Sequence, residues 1–251
     1  MKIIVVLLIM GCVSVTAFCK KPYLKRGQPA SSKNWVLFFN DEFRKNSTID
    51  NKWISQNASP EHIQSSRWRE NLSIRNGKLR IKNRSEKRGG KDWTTGCMTN
   101  QINTGYGYYE CRMKISGAEG INNSFWLYTS RKPGYHTFEI DFFEIHYPNK
   151  IHYTLHDYGV DSSSKIQTIA ESFSPDVDLS KSYHIYGVDW NEKTIDFYFD
   201  GALKWSVKND MCKNIGTMVL STAVLSWAGN RTGAIDNTMM LVDYVRYWIS
   251  Y

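Results

Sequence analysis

Apolar and polar residues alternate in short runs along most of the chain from Trp35 onward. In residues 71–82, NLSIRNGKLRIK, this alternation continues on both sides of Asn76-Gly77. Alternating apolar residues that flank an Asn-Gly pair are the strongest short-range signal of a β-hairpin. The pattern therefore predicts two antiparallel strands joined by a tight turn at this pair.

Four later segments show the same alternation, and turn residues separate them. They are 105–116 (GYGYYECRMKIS), 184–190 (HIYGVDW), 194–201 (TIDFYFDG) and 239–249 (MMLVDYVRYWI). No stretch of ten or more residues keeps a helical period, so we expect no long helices between the strands. We therefore expect an all-β fold, a β-jelly-roll sandwich of two antiparallel sheets.

The N-terminal residues do not show this alternation of apolar and polar positions. Residues 1–17, MKIIVVLLIMGCVSVTA, combine one Lys, an apolar run and a small-x-small ending, which is typical of a cleaved signal peptide. The apolar run is shorter than the roughly 20 residues that a transmembrane helix needs. A loose lipobox ending at Cys12 is the alternative, and it would make the protein a cell-surface lipoprotein. Both interpretations export the chain, to the periplasm or beyond, and residues 18–33 then form a polar leader or tether.

Composition narrows the possible partners. The formal net charge is +8, which either reflects ordinary solubility or indicates an anionic partner such as a sulfated glycan. The basic residues are dispersed and no nucleic-acid-binding motif occurs, so we expect no nucleic-acid partner. After signal cleavage Cys19, Cys97, Cys111 and Cys212 remain, and all three possible disulfide pairings stay open.

Residues 139–144, EIDFFE, place three carboxylates among large apolar residues. In a regular strand Glu139 and Asp141 share a face, whereas Glu144 lies on the other. A solvated strand edge guarded by charge is the simplest interpretation. However, the Ile and Phe residues commit one face to a core, and three adjacent acids repel one another without adding anything that solubility requires.

A β-bulge removes the difficulty. If Phe142 and Phe143 together oppose one residue of the neighbouring strand, the alternation shifts and all three carboxylates share a face. The second phenylalanine is then the extra residue. Two glutamates that face the same cleft suit glycoside hydrolysis. Hydrolysis with retention needs carboxyls about 5–5.5 Å apart, and hydrolysis with inversion needs them about 6.5–9.5 Å apart. Asp141 between them would raise the pKa of a neighbouring carboxyl, as a general acid requires.

Six further segments accompany this motif in a fixed order. They are FFNDEF (38–43), ENLSIRNGKLRI (70–81), TGYGYYECRMKI (104–115), SFWLY (124–128), YHIYGVDWNEKTIDFYFDG (183–201) and LVDYVRYW (241–248). Together with EIDFFE, which is similar to the bulged E-x-D-x-x-E signature, they resemble glycoside hydrolase family 16. The resemblance implies a jelly roll with a concave substrate cleft, so that residues 34–251 form the catalytic domain. It also implies retaining hydrolysis of internal bonds in a β-linked polysaccharide.

The resemblance assigns roles to individual residues. Glu139 would be the nucleophile, Glu144 the general acid/base and Asp141 the carboxylate between them. Trp126 and Asn71 match family residues that contact sugar, and core packing is the alternative interpretation of Trp126. Less specific candidates for substrate contact are His156, His146, His152, Trp68, Arg69, Arg67, Trp227 and Trp205.

The resemblance requires no cofactor. Some family members bind a structural Ca²⁺, and Glu42 and Asp243 occupy comparable places in this chain. Because calcium takes six to eight oxygen ligands, two acids alone do not define such a site.

Two departures from the family pattern bear on the substrate. Laminarinase-like members carry Trp-Pro where this chain has Asn122-Asn123-Ser124, and their Gly-Gly-rich segment is replaced here by STAVLSWAGN (221–230). We therefore expect an endo-β-galactosidase acting on mucin-type, poly-lactosamine, keratan or sulfated galactan chains. A laminarinase-like endo-β-1,3-glucanase, a transglycosylase and a non-catalytic carbohydrate-binding jelly roll are the alternatives. We expect the protein to be a monomer.

Overall fold

A computed structural model describes residues 34–45, 48–129, 135–161 and 163–250. The predicted signal peptide and tether lie outside these residues, so both stay predictions. No helix within the described ranges combines the length and the apolar character that crossing a bilayer requires.

The first sheet has eight antiparallel strands. Its strands are β1 (Trp35–Asp41), β4 (Leu72–Arg75), β5 (Lys78–Lys82), β9 (Gly107–Lys114), β14 (His184–Trp190), β15 (Thr194–Phe199), β16 (Ala202–Lys208) and β18 (Met239–Ser250). Their order is β16-β15-β14-β9-β18-β5-β4, and β1 pairs with the C-terminal half of β18. The first and last strands of the domain therefore lie side by side.

The second sheet has seven antiparallel strands and carries the acidic motif. Its strands are β2 (Trp53–Ser55), β8 (Cys97–Asn100), β10 (Ile121–Tyr128), β11 (Thr137–His146), β12 (Lys150–Gly159), β13 (Gln167–Phe173) and β17 (Thr217–Val224). In the order β13-β12-β11-β10-β17-β8-β2, the acidic strand β11 lies between β12 and β10.

A smaller sheet and four short helices complete the described structure. Strands β3 (Ser65–Arg67), β6 (Arg84–Arg88) and β7 (Lys91–Thr95) form the small sheet, in which β3 and β7 run parallel. The α-helix α1 spans Thr48–Asn51, and 3-10 turns span Arg69–Asn71, Ser226–Ala228 and Gly233–Ile235. The expected scarcity of helix is confirmed for the described part of the chain.

The predicted hairpin forms, and a second hairpin follows later in the chain. Strands β4 and β5 meet at Asn76-Gly77, whose φ angles of 55° and 66° are those of a type I′ turn. Asp200-Gly201 joins β15 to β16 with positive φ angles of 46° and 74°. Left-handed backbone is cheapest for Gly and tolerable for Asn and Asp, which explains why these dipeptides end the strands.

The two large sheets pack face to face, and aromatic residues fill the space between them. Tyr109 of the first sheet lies 4.7 Å from Phe142 of the second, measured between ring centroids. Phe143 lies 4.6 Å from Tyr186 of the first sheet. The expected jelly-roll sandwich is thus confirmed, with both motif phenylalanines in its core.

Cysteines contribute to this core without forming disulfides. Cys97, Cys111 and Cys212 are buried and free. Each of the three pairings that the sequence left open would join at least two of these residues, so none of those pairings is present.

Candidate active site

A cleft of about 1020 Å³ lies over the second sheet, on the face opposite the core. Strand β11 contributes Glu139, Asp141 and Glu144 to its lining. Strands β10 and β17 contribute Trp126 and Ser221, and the opposite wall comes from residues 56–67, which precede the first hairpin. All three predicted carboxylates therefore share one open surface.

The register of β11 shows how Glu144 comes to face the cleft. On one side Asp141 pairs with Thr154 and Glu144 with His152, so Phe142 and Phe143 together oppose a single residue of β12. On the other side Phe143 pairs with Phe125 while Asp141 pairs with Trp126. The predicted β-bulge is present, but Phe142 rather than the second phenylalanine is the unpaired residue on the β10 side. Because both rings enter the core, the strand gains an apolar residue without turning Glu144 away.

The carboxyls occupy a poorly hydrated and mutually repulsive environment. Burial, reinforced by the charge of Asp141, raises the pKa of Glu139 to about 8. Burial and the charge of Glu144 raise the pKa of Asp141 well above its ordinary value. Burial also raises the pKa of Glu144, while a hydrogen bond from Asn122 acts in the opposite direction. Three such groups cannot all be ionised near neutral pH, so the cluster retains protons that an acid catalyst can use.

Neighbouring strands hold the carboxyls in place. His156 lies opposite Glu139 on β12, and its Nε2 is 3.4 Å from Asp141 Oδ2, while its Nδ1 is 3.0 Å from Thr168 Oγ1. The Tyr158 hydroxyl donates to Glu139 Oε2 at 3.4 Å. The Asn122 amide donates to Glu144 Oε1. Each acid thus has its own polar support.

Two of the predicted tryptophans reach the cleft. Trp126 lies opposite Asp141, and its indole Nε1 donates to Ser221 Oγ at 3.1 Å, which fixes the ring. Trp227 lies at the other end of the motif, where it contacts His146. His146 itself is buried, and its ring packs against His152 with centroids 4.8 Å apart.

Four other candidates have structural contacts away from the cleft. Asn71 is buried and donates to Lys82 O at 2.7 Å, and Trp68 donates to Ser66 Oγ at 2.8 Å. Arg69 forms a bidentate pair with Asp50, both distances being 2.8 Å. Trp205 stacks on Phe197 in the core at 4.9 Å. None of these four residues is among those that line the cleft.

The two acids suggested for calcium are already neutralised by cations. Glu42 accepts from Arg246 Nε and Nη2 at 2.9 and 3.0 Å. Asp243 pairs with Lys78 at 2.7 Å and with Arg112. Oxygens engaged in this way do not fit a Ca²⁺ ligand set. Among the described residues, the one cluster with potential metal-ligand atoms within 4.8 Å of one another is Glu139, Asp141 and His156, in the cleft itself.

Sequence reasoning missed Asn122 and Tyr158. Asn122 contacts Glu144 only because β10 pairs antiparallel with β11, and that register is not written in the sequence. Tyr158 could have been predicted from the sequence, since it lies two residues beyond His156 and therefore on the same face of its strand. Arg67 was one candidate for substrate contact together with Trp68 and Arg69, and of these three residues it alone lines the cleft.

Two glutamates and an aspartate on one face of a cleft strand supply the paired carboxyls that glycoside hydrolysis uses. Comparisons with known proteins agree. Residues 35–250 match the sequence model of the family described as β-porphyranase A–D, GH16 domain. The chain therefore belongs to glycoside hydrolase family 16.

Individual relatives differ in how much of the chain they match. Porphyranase B from Zobellia galactanivorans has a similar fold, with a TM-score of 0.78 at 20% identity over 91% of this chain and 98% of that one. The κ-carrageenase of Pseudoalteromonas carrageenovora is 25% identical over 97% of this chain and 70% of its own length. The β-glucanase of Bacillus subtilis (strain 168) is 31% identical over 57% of this chain. That match covers 58% of the β-glucanase, so the chain spans only part of the curated relative's length.

Proposed function

We propose that the protein is an exported, endo-acting glycosidase that hydrolyses internal β-linkages with retention of configuration. The observation that carries this proposal is the bulged strand β11, which presents Glu139, Asp141 and Glu144 together to an open cleft. An open cleft admits the middle of a polymer. A non-catalytic carbohydrate-binding jelly roll has no need for three clustered acids, whose repulsion only destabilises a binding surface.

In the first step, an oxygen of ionised Glu139 forms a bond to the anomeric carbon as the bond from that carbon to the glycosidic oxygen breaks. Glu144 donates its proton to that oxygen, and the leaving sugar departs. In the second step, Glu144 accepts a proton from water, whose oxygen attacks the same carbon and releases Glu139. Two inversions at one carbon restore its configuration.

The carboxyl between the two glutamates keeps their protonation states apart. Asp141 is the most buried of the three acids, and burial raises its pKa well above the ordinary value, so it can hold a proton while Glu139 is ionised. His156 and Tyr158 hold this pair from the β12 side. Glu144, with a raised pKa, then supplies the second proton.

Substituting the nucleophile tests the mechanism. We expect Glu139→Gln to abolish turnover while the affinity for polysaccharide stays close to that of the wild type. NMR of the earliest products should show the β-anomer before mutarotation. Turnover that survives the substitution would refute the role of Glu139, and an initial α-anomer would refute retention.

For the substrate we propose an anionic galactan. Arg67 lines the cleft at only 7% exposure, and its buried Nε has no hydrogen-bond partner. Its Nη1 donates to the neutral Gln56 at 2.9 Å, and no carboxylate of the described residues forms an ion pair with it. Burial together with the charges of Arg67 and Lys91 lowers the pKa of the neighbouring His62, so this wall of the cleft is electropositive. A buried guanidinium without a counter-ion is unfavourable unless a ligand supplies the charge.

A panel of β-galactans and β-glucans, each galactan in sulfated and desulfated form, tests this preference. We expect Arg67→Gln to lower kcat/KM about tenfold or more on the sulfated chain and much less on the desulfated one, because a hydrogen bond to a charged group contributes about 1.5–3 kcal/mol. Arg69→Gln is the matched control, since Arg69 lies outside the cleft and should leave both values unchanged. Equal losses of kcat/KM on the sulfated and desulfated galactans would show that Arg67 does not bind the sulfate group.

A neutral β-glucan is the second candidate, because the Bacillus subtilis relative is a β-glucanase. Hydrolysis of neutral β-glucans alone in the same panel would favour that alternative. Binding of polysaccharides without any released oligosaccharide would refute the enzymatic proposal.

A further inference from the structure

Trp227 is an exposed aromatic side chain at the cleft for which the chemistry above has no role. It lies in the 3-10 turn Ser226–Ala228, directly after β17, and 50% of its surface is exposed. Single exposed apolar residues are common on protein surfaces, but an aromatic ring that lines a cleft can stack on the apolar face of a sugar. The place of Trp227 in the cleft lining therefore suits a ligand with such a face.

Two histidines support this ring from below. The indole lies edge-on to His146, with ring centroids 4.1 Å apart, and 5.2 Å from His152. His146 is 6% exposed, and burial with the neighbouring His152 lowers its pKa to about 4, so it is neutral under ordinary conditions. Trp227 thus packs edge-on against the neutral His146 ring, and half of its surface stays exposed.

The position of this base relates Trp227 to Glu144 in particular. His146 lies two residues beyond Glu144 on the same strand, and His152 pairs directly opposite Glu144. Asn122, which donates to Glu144, pairs opposite His146. The buried Asn122 Oδ1 and His146 Nε2 also lack hydrogen-bond partners. This end of the cleft therefore has polar atoms beside the indole that a ligand could satisfy.

A second aromatic pair occupies the opposite end of the motif. Tyr128 lies across from Glu139 and Trp126 across from Asp141, with their rings 5.4 Å apart. Trp126 and Asn122, which pairs opposite His146, are four residues apart on β10, roughly 13 Å of extended strand. The two aromatic groups therefore cannot stack on the same sugar ring.

We propose that Trp227 is the stacking platform for the sugar on the leaving-group side of the scissile bond. The inference rests on the proposed function, in which Glu144 donates its proton to the oxygen carried away by that sugar. This sugar must consequently lie against Glu144, where Trp227 offers a flat apolar surface to its C–H face. By microscopic reversibility, an acceptor sugar in the second step occupies the same platform.

The test compares two substrates that carry the same sugar on the nucleophile side of the scissile bond and differ in their leaving group. One is the polysaccharide that the wild type cleaves, and the other is an aryl glycoside of the oligosaccharide that the wild type releases. The aryl group leaves without a sugar on the platform. We expect Trp227→Ala to lower the ratio of the two kcat/KM values, polymer over aryl glycoside, about tenfold, and Trp227→Phe to lower it less because phenylalanine keeps an aromatic face. Trp205→Phe, in a core-packed tryptophan outside the cleft lining, is the matched control and should leave the ratio unchanged.

A second measurement uses the acceptor. With added product oligosaccharide, the ratio of transfer product to hydrolysis product should fall in Trp227→Ala relative to the wild type. An unchanged substrate ratio, or equal losses on polymer and aryl glycoside, would overturn the platform. The proposed function fails separately, since in that case the wild type itself releases no oligosaccharides.

Discussion

At the scale of single residues, the cleft works by giving similar carboxyls different surroundings. Burial raises the pKa of all three acids. Asn122 counteracts this at Glu144 alone, because its amide stabilises the ionised carboxylate through a hydrogen bond. The amide thereby tunes the proposed acid/base as well as orienting it.

The first prediction concerns this amide. In Asn122→Ala the ionised form of Glu144 loses a donor, so the pKa of Glu144 rises. The alkaline limb of the kcat/KM profile, where the general acid loses its proton, should move to higher pH. Since the carboxyl also loses its orientation, kcat should fall about tenfold, below the 10²–10⁴-fold range of full general-acid loss. The pH-rate profile on the preferred polysaccharide measures both effects.

The control for this substitution is Asn103→Ala. Asn103 accepts a hydrogen bond from Thr217 at an exposed position outside the cleft lining, so its removal should leave the profile in place. A limb that moved to lower pH in Asn122→Ala would mean that the amide does not stabilise the ionised acid.

At the scale of the strand, the bulge accommodates an additional core residue without disturbing the face that carries the three carboxyls. Deleting Phe142 would leave Glu139, Asp141 and Glu144 in strict alternation, since Phe143 and Asp141 already pair with consecutive residues of β10. The strand therefore needs the bulge because it contains two consecutive phenylalanines. The bulge keeps Glu144 on the same face as Glu139 and Asp141.

A pair of length variants tests this interpretation. Deletion of Phe142 should keep measurable activity but lower the free energy of unfolding by about 3–5 kcal/mol, since a fully buried aromatic ring is lost from the core. Insertion of one alanine after Phe143 should turn Glu144 toward the core and lower kcat/KM by about 10²–10⁴-fold. Chemical denaturation and polysaccharide assays measure the two effects. An active insertion variant would contradict the assignment of Glu144.

Strands also explain where sequence reasoning succeeded and where it did not. The parity of EIDFFE is a local property, so the three acids and the bulge could be predicted from six residues. The direction of Asn71 could not, because it depends on which sheet the following strand joins. Strand β4 belongs to the first sheet, while the cleft lies over the second, so Asn71 and its neighbours Trp68 and Arg69 bind structural partners instead.

At the scale of the whole molecule, the sandwich brings distant segments to one surface. The wall that carries Arg67 precedes the acidic strand by about seventy residues, and only the packing of the small sheet beside the second sheet brings them together. The net charge of +8 suggested an anionic partner without saying where it binds. We propose Arg67 as its binding place, because this buried residue is the cleft cation without a carboxylate partner among the described residues.

The same burial makes the active site a source of instability for the whole fold. The pKa of Glu139 is raised from 4.5 to about 8 in the folded protein, so folding favours the protonated form. The resulting stabilisation is complete below pH 4.5 and is lost as the pH rises to 8. Glu139→Gln cannot ionise and should keep its stability across this window. We expect its free energy of unfolding to exceed that of the wild type by about 2–4 kcal/mol at pH 8, with the excess shrinking toward pH 5. Thermal and urea unfolding at both pH values measure this difference, with Glu61→Gln, an exposed position, as the control. An excess that is independent of pH would show that Gln stabilises through packing and that the Glu139 charge is not the cause.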